Sequence, residues 1–376
     1  MIGEIRIDCA ALRENAKTMR ALAAPAKCAF VLKSNAYGHG LAETGLAVEP
    51  FADAFCVYAL EEAVALRDAG VTIPLLILGP VEAKDLAQAH AAKATIALWN
   101  KGAYARDAAA VARTRGQRFP VHIKIDTGVA RLGLSVRDAP DVIEEYARLA
   151  DLSVEGVFSH FASVEEADSE FTLEQLAKFE RALALSLPVL ASSNMHPLRH
   201  LAASAATMCF PQTRLDLVRV GIALYGLWPS AGTRQAMPET SLVPALSLTS
   251  SLVSTRDIAA GTPVGYGTSF HAQRATRVGV VPLGYADGIP RALSNTGAFL
   301  VRGKRCAILG RVCMNMTMID VTEVDGAAPG STVTLIGRDD AASVTADDWA
   351  GWARTINYEI VSRLPETLPR RHALRD

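Results

Sequence analysis

Between about residue 29 and residue 220 the chain alternates short apolar runs with longer, alanine-rich amphipathic segments, and this pattern restricts the fold more than any other feature. A short apolar run bounded by turn residues reads as a strand buried on both faces, as strands of parallel sheets are. Eight such runs occur, near residues 29–32, 55–57, 75–78, 95–98, 121–125, 154–158, 198–201 and 217–220, with helical stretches such as 60–69 and 173–185 between them. Eight repeated strand–helix units predict a closed (β/α)8 barrel. The alternative is an open doubly wound sheet. No Gly-x-Gly-x-x-Gly turn follows any of the runs and no Gly-Lys-Ser/Thr phosphate loop occurs, so both nucleotide-binding readings lose weight.

The character of the sequence changes between Pro238 and Pro244. Runs at 245–255, 276–281, 306–309, 316–321 and 332–336 are rich in Val, Ile and Thr and separated by Gly, Pro and Asp, which predicts an antiparallel β domain. Thr345, followed by Asp347 and Asp348, reads as the N-cap of a helix running to Arg354. The expected organisation is a barrel over residues 1–238 and a mainly antiparallel β domain over 239–376, and a chain of 376 residues suits two domains.

A net charge of -1 gives no long-range field for nucleic acid or an anionic membrane, which leaves small-molecule chemistry as the expectation. The one basic cluster, Arg370, Arg371 and Arg375, reads as a solvated tail. Six cysteines, at 9, 28, 56, 209, 306 and 313, have no metal or redox spacing and read as free thiols in a reducing compartment. The N-terminus lacks the apolar core of a signal peptide and no stretch is long enough to span a bilayer, so a cytoplasmic protein is expected.

In barrels the functional residues sit at the C-terminal strand ends. Lys33 ends the first run, in Cys28-Ala29-Phe30-Val31-Leu32-Lys33-Ser34-Asn35-Ala36-Tyr37-Gly38-His39-Gly40, where partial desolvation lowers an ammonium from its free pKa of about 10.4 and exposes a nucleophilic amine. A snorkelling lysine that caps the strand is an equally good reading of this segment alone. Arg131 follows the fifth run, His160 the sixth and Ser204 the seventh, while Arg219 lies in the eighth. Singly, each reads as a structural residue; together with Lys33 they put four polar side-chain types at one barrel mouth.

Those residues, with their neighbours, resemble the alanine racemase family of pyridoxal-phosphate enzymes. The resemblance rests on Lys33-Ser34-Asn35-Ala36-Tyr37-Gly38-His39-Gly40 and the segment from Lys124 to Gly133, then on Ser159-His160-Phe161-Ala162 and the segment from Arg219 to Gly226. It continues through Gly265-Tyr266-Gly267, Gly284-Tyr285-Ala286-Asp287-Gly288, Gly310-Arg311-Val312-Cys313-Met314 and Asn357-Tyr358-Glu359, and so spans nearly the whole chain.

The resemblance implies pyridoxal 5′-phosphate tethered by Lys33, which also serves as the base for the α-proton of the D-enantiomer. It implies a homodimer in which the partner subunit supplies Tyr266 as the opposing base. Arg219 is placed against the pyridine nitrogen, and its pKa above about 12 keeps that nitrogen largely unprotonated. Ser204, the main-chain N–H groups of Gly221 and Ile222, Tyr37 and Tyr358 are implied phosphate ligands, with His160 in the same cofactor site. Arg131 and Met314 are implied to meet the substrate carboxylate, and Tyr285, Arg291 and Arg311 to line the entry with Tyr358. Lys124 and Arg131 would repel at one mouth, and carbamylation of Lys124, as in many relatives, would turn it into an anion that orients Arg131; an unmodified lysine at a strand edge is the other reading. Supply of D-alanine for the cell wall follows from the family alone.

Three positions depart from the family pattern: Asn315 for an aspartate, Glu165 near an expected aspartate, and Ala203 for a frequent asparagine. They bear on substrate breadth rather than on cofactor binding. A racemase of broader specificity, or one for serine or a basic amino acid, is the nearest alternative. A decarboxylase of related fold would need a glycine-rich phosphate loop and a cysteine-containing acidic motif, and neither is present. A non-catalytic cofactor carrier made of the barrel alone would not need the β domain.

Overall fold

The structure, a computed structural model, describes residues 3–165 and 170–373. Its contacts group the chain into two units, Ala11–Ala36 with Leu41–Pro244, and Met1–Ala10 with Tyr37–Gly40 and Ala245–Asp376. The division therefore does not follow a single cut near residue 238, because the N-terminal strand and a short piece after Lys33 belong with the C-terminal unit.

In the first unit eight parallel strands form a nearly closed barrel. They are Lys27–Val31, Ala54–Val57, Leu75–Ile77, Ala94–Leu98, Phe119–Asp126, Leu152–Phe158, Leu198–His200 and Leu217–Val220, and the last pairs with the first. The remaining seam, between the seventh and eighth strands, is bridged by Asp216 N–H to Arg199 O (3.1 Å) and Arg219 N–H to Ala202 O (2.9 Å). Near-continuous apolar runs such as Leu75–Ile77 are buried on both faces, as strands between a barrel interior and its outer helices must be. Asn15, 1 % exposed, ties the helix Cys9–Ala23 to the barrel's last segment by donating to Leu224 O (3.1 Å) and Val243 O (2.8 Å).

The chain does not turn at Gly38 and Gly40 alone after the first strand. Ser34, Asn35, Ala36 and Tyr37 all adopt left-handed conformations, with φ of 56°, 53°, 51° and 53°. Each such residue costs about 1–2 kcal/mol relative to the right-handed form. Three hydrogen bonds brace the turn: Ser34 N–H to Glu62 Oε1 (2.6 Å), Ala36 N–H to Leu32 O (2.8 Å) and Leu41 N–H to Asn35 Oδ1 (2.8 Å).

The second unit is mainly antiparallel. One sheet runs Lys304–Ala307, Ala298–Val301, Thr332–Asp339, Leu246–Ser251, Glu4–Asp8 and Arg370–Ala373, and a three-stranded sheet joins Ser254–Ile258, Thr276–Val281 and Thr317–Asp320. The expected single run at 245–255 is thus two strands in different sheets. They change over at Leu252 and Val253, whose N–H groups reach Ser331 O and Val280 O (both 2.9 Å). Thr345 caps the helix Ala346–Ala353 as expected: its Oγ1 accepts from Asp348 N–H at 3.0 Å, and Trp349 on that helix is fully buried.

The basic cluster is not a solvated tail. Arg370 donates to Gly38 O (2.8 Å), Pro365 O, Leu368 O and Leu364 O (each 3.0 Å), and Arg371 pairs with Glu4; Arg375 lies outside the described residues. The guanidinium meets carbonyls left over where the chain turns, which charge counting along the sequence does not reveal. Gly38 also has φ +80°, and a Cβ there would stand 2.0 Å from Val361 O. Gly38→Ala should therefore lower stability by about 2 kcal/mol or more, read as a fall in the urea unfolding midpoint.

Candidate active site

Arg219 enters the barrel from the eighth strand and is 4 % exposed, yet among the described residues no carboxylate meets it. Nη1 donates to His200 Nδ1 (2.7 Å) and His200 O (3.1 Å), and Nη2 to Ser159 O (2.8 Å) and Leu201 O (3.0 Å), with His160 Nδ1 at 3.3 Å. A guanidinium has five donors. Nε–H is the one left without an acceptor among the described residues. The carbonyls at the ends of the sixth and seventh strands take the role of a counter-charge.

Around it the charge is one-sided. Lys124, on the fifth strand, is 7 % exposed and not at an open strand edge. Burial, followed by repulsion from Arg131 and Arg219, pulls its amine down to about 8. Burial and then Arg131 likewise lower Lys33, which Glu62 partly offsets. Burial and the same arginines hold His160 well below the usual histidine range, so its imidazole is neutral. Phe158 gives two of the cations an aromatic face, with Arg219 5.3 Å and Lys124 5.7 Å from its centroid.

Ser204 follows the seventh strand, and its Oγ accepts from Gly221 N–H (3.0 Å) and Ala223 N–H (3.4 Å) just after the eighth. Two main-chain donors thus converge on one oxygen, next to Ile222, which opens the same turn. A corner of this kind, where main-chain N–H groups gather beyond the last two strands, suits a phosphate.

Several residues that hold the site together were missed in the sequence. Asp126 Oδ1 accepts from Gly128 and Val129 N–H (both 2.9 Å) and Oδ2 from Arg131 N–H (3.2 Å), so it shapes the loop carrying Arg131. Buried Gln175 donates to Thr127 Oγ1 (3.1 Å) and His160 O (3.0 Å) and accepts from Ala162 N–H (3.0 Å), clamping two site loops. Glu62 accepts from Ser34, Tyr58 and Ala59 N–H. His200 and His122 lie behind Arg219 with His122 Nδ1 2.9 Å from His200 Nε2. A usable signal existed for His122: it stands two residues before Lys124 in an apolar run, and period-two spacing puts both on one strand face.

The remaining expected residues belong to the second unit. Tyr37 and Tyr358 approach each other with ring centroids 6.2 Å apart. Tyr266 (73 %), Tyr285 (43 %) and Met314 (57 %) are exposed, as are Arg291 and Arg311. Two of these, Tyr285 and Met314, come together through the backbone, where Tyr285 N–H donates to Cys313 O and Ala286 N–H to Met314 O (both 2.9 Å); separately, the Arg311 guanidinium lies against Gly267, next to Tyr266, where a Cβ would stand 2.8 Å from Nη1. Asn315 donates to Asp287 Oδ2 at 3.1 Å, an amide–carboxylate contact that the family's usual aspartate could not make while ionised.

Comparison with known proteins decides the family. The alanine racemase N-terminal domain matches residues 7–229 and the alanine racemase C-terminal domain residues 245–372. The chain belongs to the alanine racemase family. A relative named alanine racemase from Leptospira interrogans is 38 % identical over 97 % of this chain and 94 % of its own length. The alanine racemase from D-cycloserine-producing Streptomyces lavendulae superposes with a TM-score of 0.92 at 33 % identity, over 99 % of this chain and 97 % of that one. The Bacillus anthracis alanine racemase, solved with bound L-Ala-P, gives 0.90 at 30 %, over 99 % and 95 %.

The family's barrel half thus brings its amines into mutual repulsion, and this is measurable without substrate. In Arg131→Gln the largest like-charge neighbour of Lys124 and Lys33 is gone, so both amines should titrate at higher pH. In cofactor-free protein stripped of carbon dioxide, so that both amines are unmodified, acetic anhydride labelling of Lys124 near pH 8 should then slow relative to the parent chain, with surface lysines as the internal reference.

Proposed function

We propose that this protein interconverts L- and D-alanine by a two-base mechanism, as a cytoplasmic homodimer that holds pyridoxal 5′-phosphate in the barrel. The observation that carries the reading is Arg219, a buried guanidinium whose donors are spent on carbonyls and imidazoles except for Nε–H. A donor-only group against a pyridine nitrogen leaves that nitrogen as the acceptor, hence unprotonated. When bound, the cofactor supplies an aldehyde that bonds an amine and a ring that draws moderate electron density from the α-carbon, which favours proton exchange over side chemistry.

The chain's own residues supply the rest. Lys33, its amine lowered by burial, would hold the aldehyde and then take or return the α-proton on the face used by D-alanine. Ser204, Gly221 and Ile222 would hold the phosphate, with Tyr37 and Tyr358, and neutral His160 would lie in the same site. Arg131 and Met314 would meet the alanine carboxylate, and Tyr285, Arg291 and Arg311 would narrow the entry. An amine near 8 is about half neutral at mildly basic pH and keeps a neutral fraction of about a tenth at pH 7, far more than a free lysine, and that is the form that reacts with carbon dioxide, which supports carbamylation of Lys124 and an anion beside Arg131. The domain arrangement we propose is a barrel that holds the cofactor and a β domain that completes a second subunit's site. The exposure of Tyr266, Tyr285 and Met314 supports it, because aromatic and thioether groups grouped on a surface are what association covers.

Purified protein with the cofactor should convert L-alanine to D-alanine, and chiral chromatography over a panel of L-amino acids would measure breadth. No D-alanine would overturn the reading. The two enantiomers have equal free energy, so kcat/KM must fall equally in both directions in any variant, and rates alone do not assign the bases. Wash-in of solvent deuterium does. Tyr266→Phe should cut racemisation by about 10²-fold or more, the ordinary scale for losing a general base. It should still exchange the α-proton of D-alanine through Lys33 while nearly losing exchange from L-alanine.

A further inference from the structure

We propose that His122 is a positioning residue: it ends a one-way hydrogen-bond chain, Arg219 to His200 to His122, that fixes the proton on His200 and through it the guanidinium at the cofactor's pyridine end. The inference rests on the function proposed above and extends it to a residue that touches neither substrate nor cofactor.

The direction of the chain follows from chemistry alone. Arg219 Nη1 lies 2.7 Å from His200 Nδ1, and His200 Nε2 lies 2.9 Å from His122 Nδ1. Arginine only donates, so His200 must accept at Nδ1 and carry its proton on Nε2. That proton points at His122 Nδ1, which must therefore be a lone pair, leaving His122 protonated on Nε2. Any other arrangement sets two N–H groups against each other in the barrel interior, where an unmade hydrogen bond is costly. His200 is fully buried and His122 is 7 % exposed, and burial and Arg219 keep both imidazoles neutral.

The surroundings are built for this arrangement. A Cβ on Gly156 of the sixth strand would stand 2.5 Å from His122 Nδ1 and 2.7 Å from its Cγ, so only glycine leaves the ring its slot. The pairing of the fifth and sixth strands shifts register between Val121 and His122. Phe158 stacks on His200 with centroids 4.9 Å apart and planes 6° from parallel, which holds the ring that relays the proton order. An apolar aromatic would fill the His122 slot equally well. What histidine adds is one acceptor nitrogen.

Nitrogen-15 NMR of the full chain with labelled histidine, compared with steady-state kinetics of the cofactor-loaded protein, tests the proposal. In the parent chain His200 and His122 should both be neutral and protonated on Nε2. His122→Phe removes the acceptor, so His200 should populate the Nδ1–H form, and kcat should fall about tenfold, the equivalent of one hydrogen bond, with KM changed less than about twofold. His122→Asn, whose side-chain carbonyl can take the Nε2 proton, should restore both. A parent spectrum with His200 protonated on Nδ1, or on both nitrogens, overturns the proposal even if the phenylalanine variant does not fold. So does a folded His122→Phe with unchanged tautomer and unchanged kcat. If the parent chain forms no D-alanine but gives the expected spectrum, the racemase reading falls while the proton order stands.

Discussion

Arg219 brings five donors and a permanent charge into the barrel with no anion among the described residues to meet them, and the C-terminal strand ends are organised around that constraint. Burying an unpaired charge is expensive, so dipoles must replace the missing counter-ion. The carbonyls of Ser159, His200 and Leu201 do so, and they point inward because the sixth and seventh strands end there. A carboxylate partner would bury the arginine at less cost. It would also offset the charge by which Arg219 adds to burial in lowering Lys124 and His160. Carbonyls solve the burial problem and leave the potential in place.

The same trade-off governs the segment beside the nucleophile. Four successive non-glycine residues in the left-handed region sum to roughly 4–8 kcal/mol of unfavourable backbone conformation. Hydrogen bonds worth about 0.5–1.5 kcal/mol each recover part of it, so the rest of the fold must hold the turn. Strain of this kind persists where the surroundings over-determine it, commonly at functional sites. Glu62 is central here: one carboxylate caps the helix Leu60–Asp68, braces Ser34, and supplies the negative charge that offsets repulsion on Lys33.

The eight barrel strands were legible because parallel strands buried on both faces leave unbroken apolar runs, and the Thr345 cap because its acidic first turn is local. The family motifs carried the site. What the sequence concealed was non-local. In Ser34-Asn35-Ala36-Tyr37 only Asn35 favours the left-handed region, so a run of four such residues is not signalled, and the brace from Glu62 lies elsewhere in the chain. Arg370 looked like a tail residue because its acceptors are carbonyls rather than acids. The run at 245–255 looked continuous because a change of sheet needs no breaker when both neighbours offer backbone partners. His200 was passed over because a polar residue inside an apolar run has meaning only once its partner is known, whereas His122 did carry a local signal in its spacing from Lys124.

The cationic barrel end has a last consequence for a two-base reaction between species of equal energy. Such a reaction runs best when neither base is much stronger than the other, and an amine and a phenol start close, with free pKa values of about 10.4 and about 10. Positive potential disfavours the protonated form of both: it makes an ammonium lose its proton more easily and makes a phenolate easier to form. A positive potential lowers the pKa of any acid, cationic or neutral, so an ammonium and a phenol shift in the same sense. In the proposed dimer, Tyr266 of a second copy would lie near the Arg131 charge that, after burial, lowers Lys33.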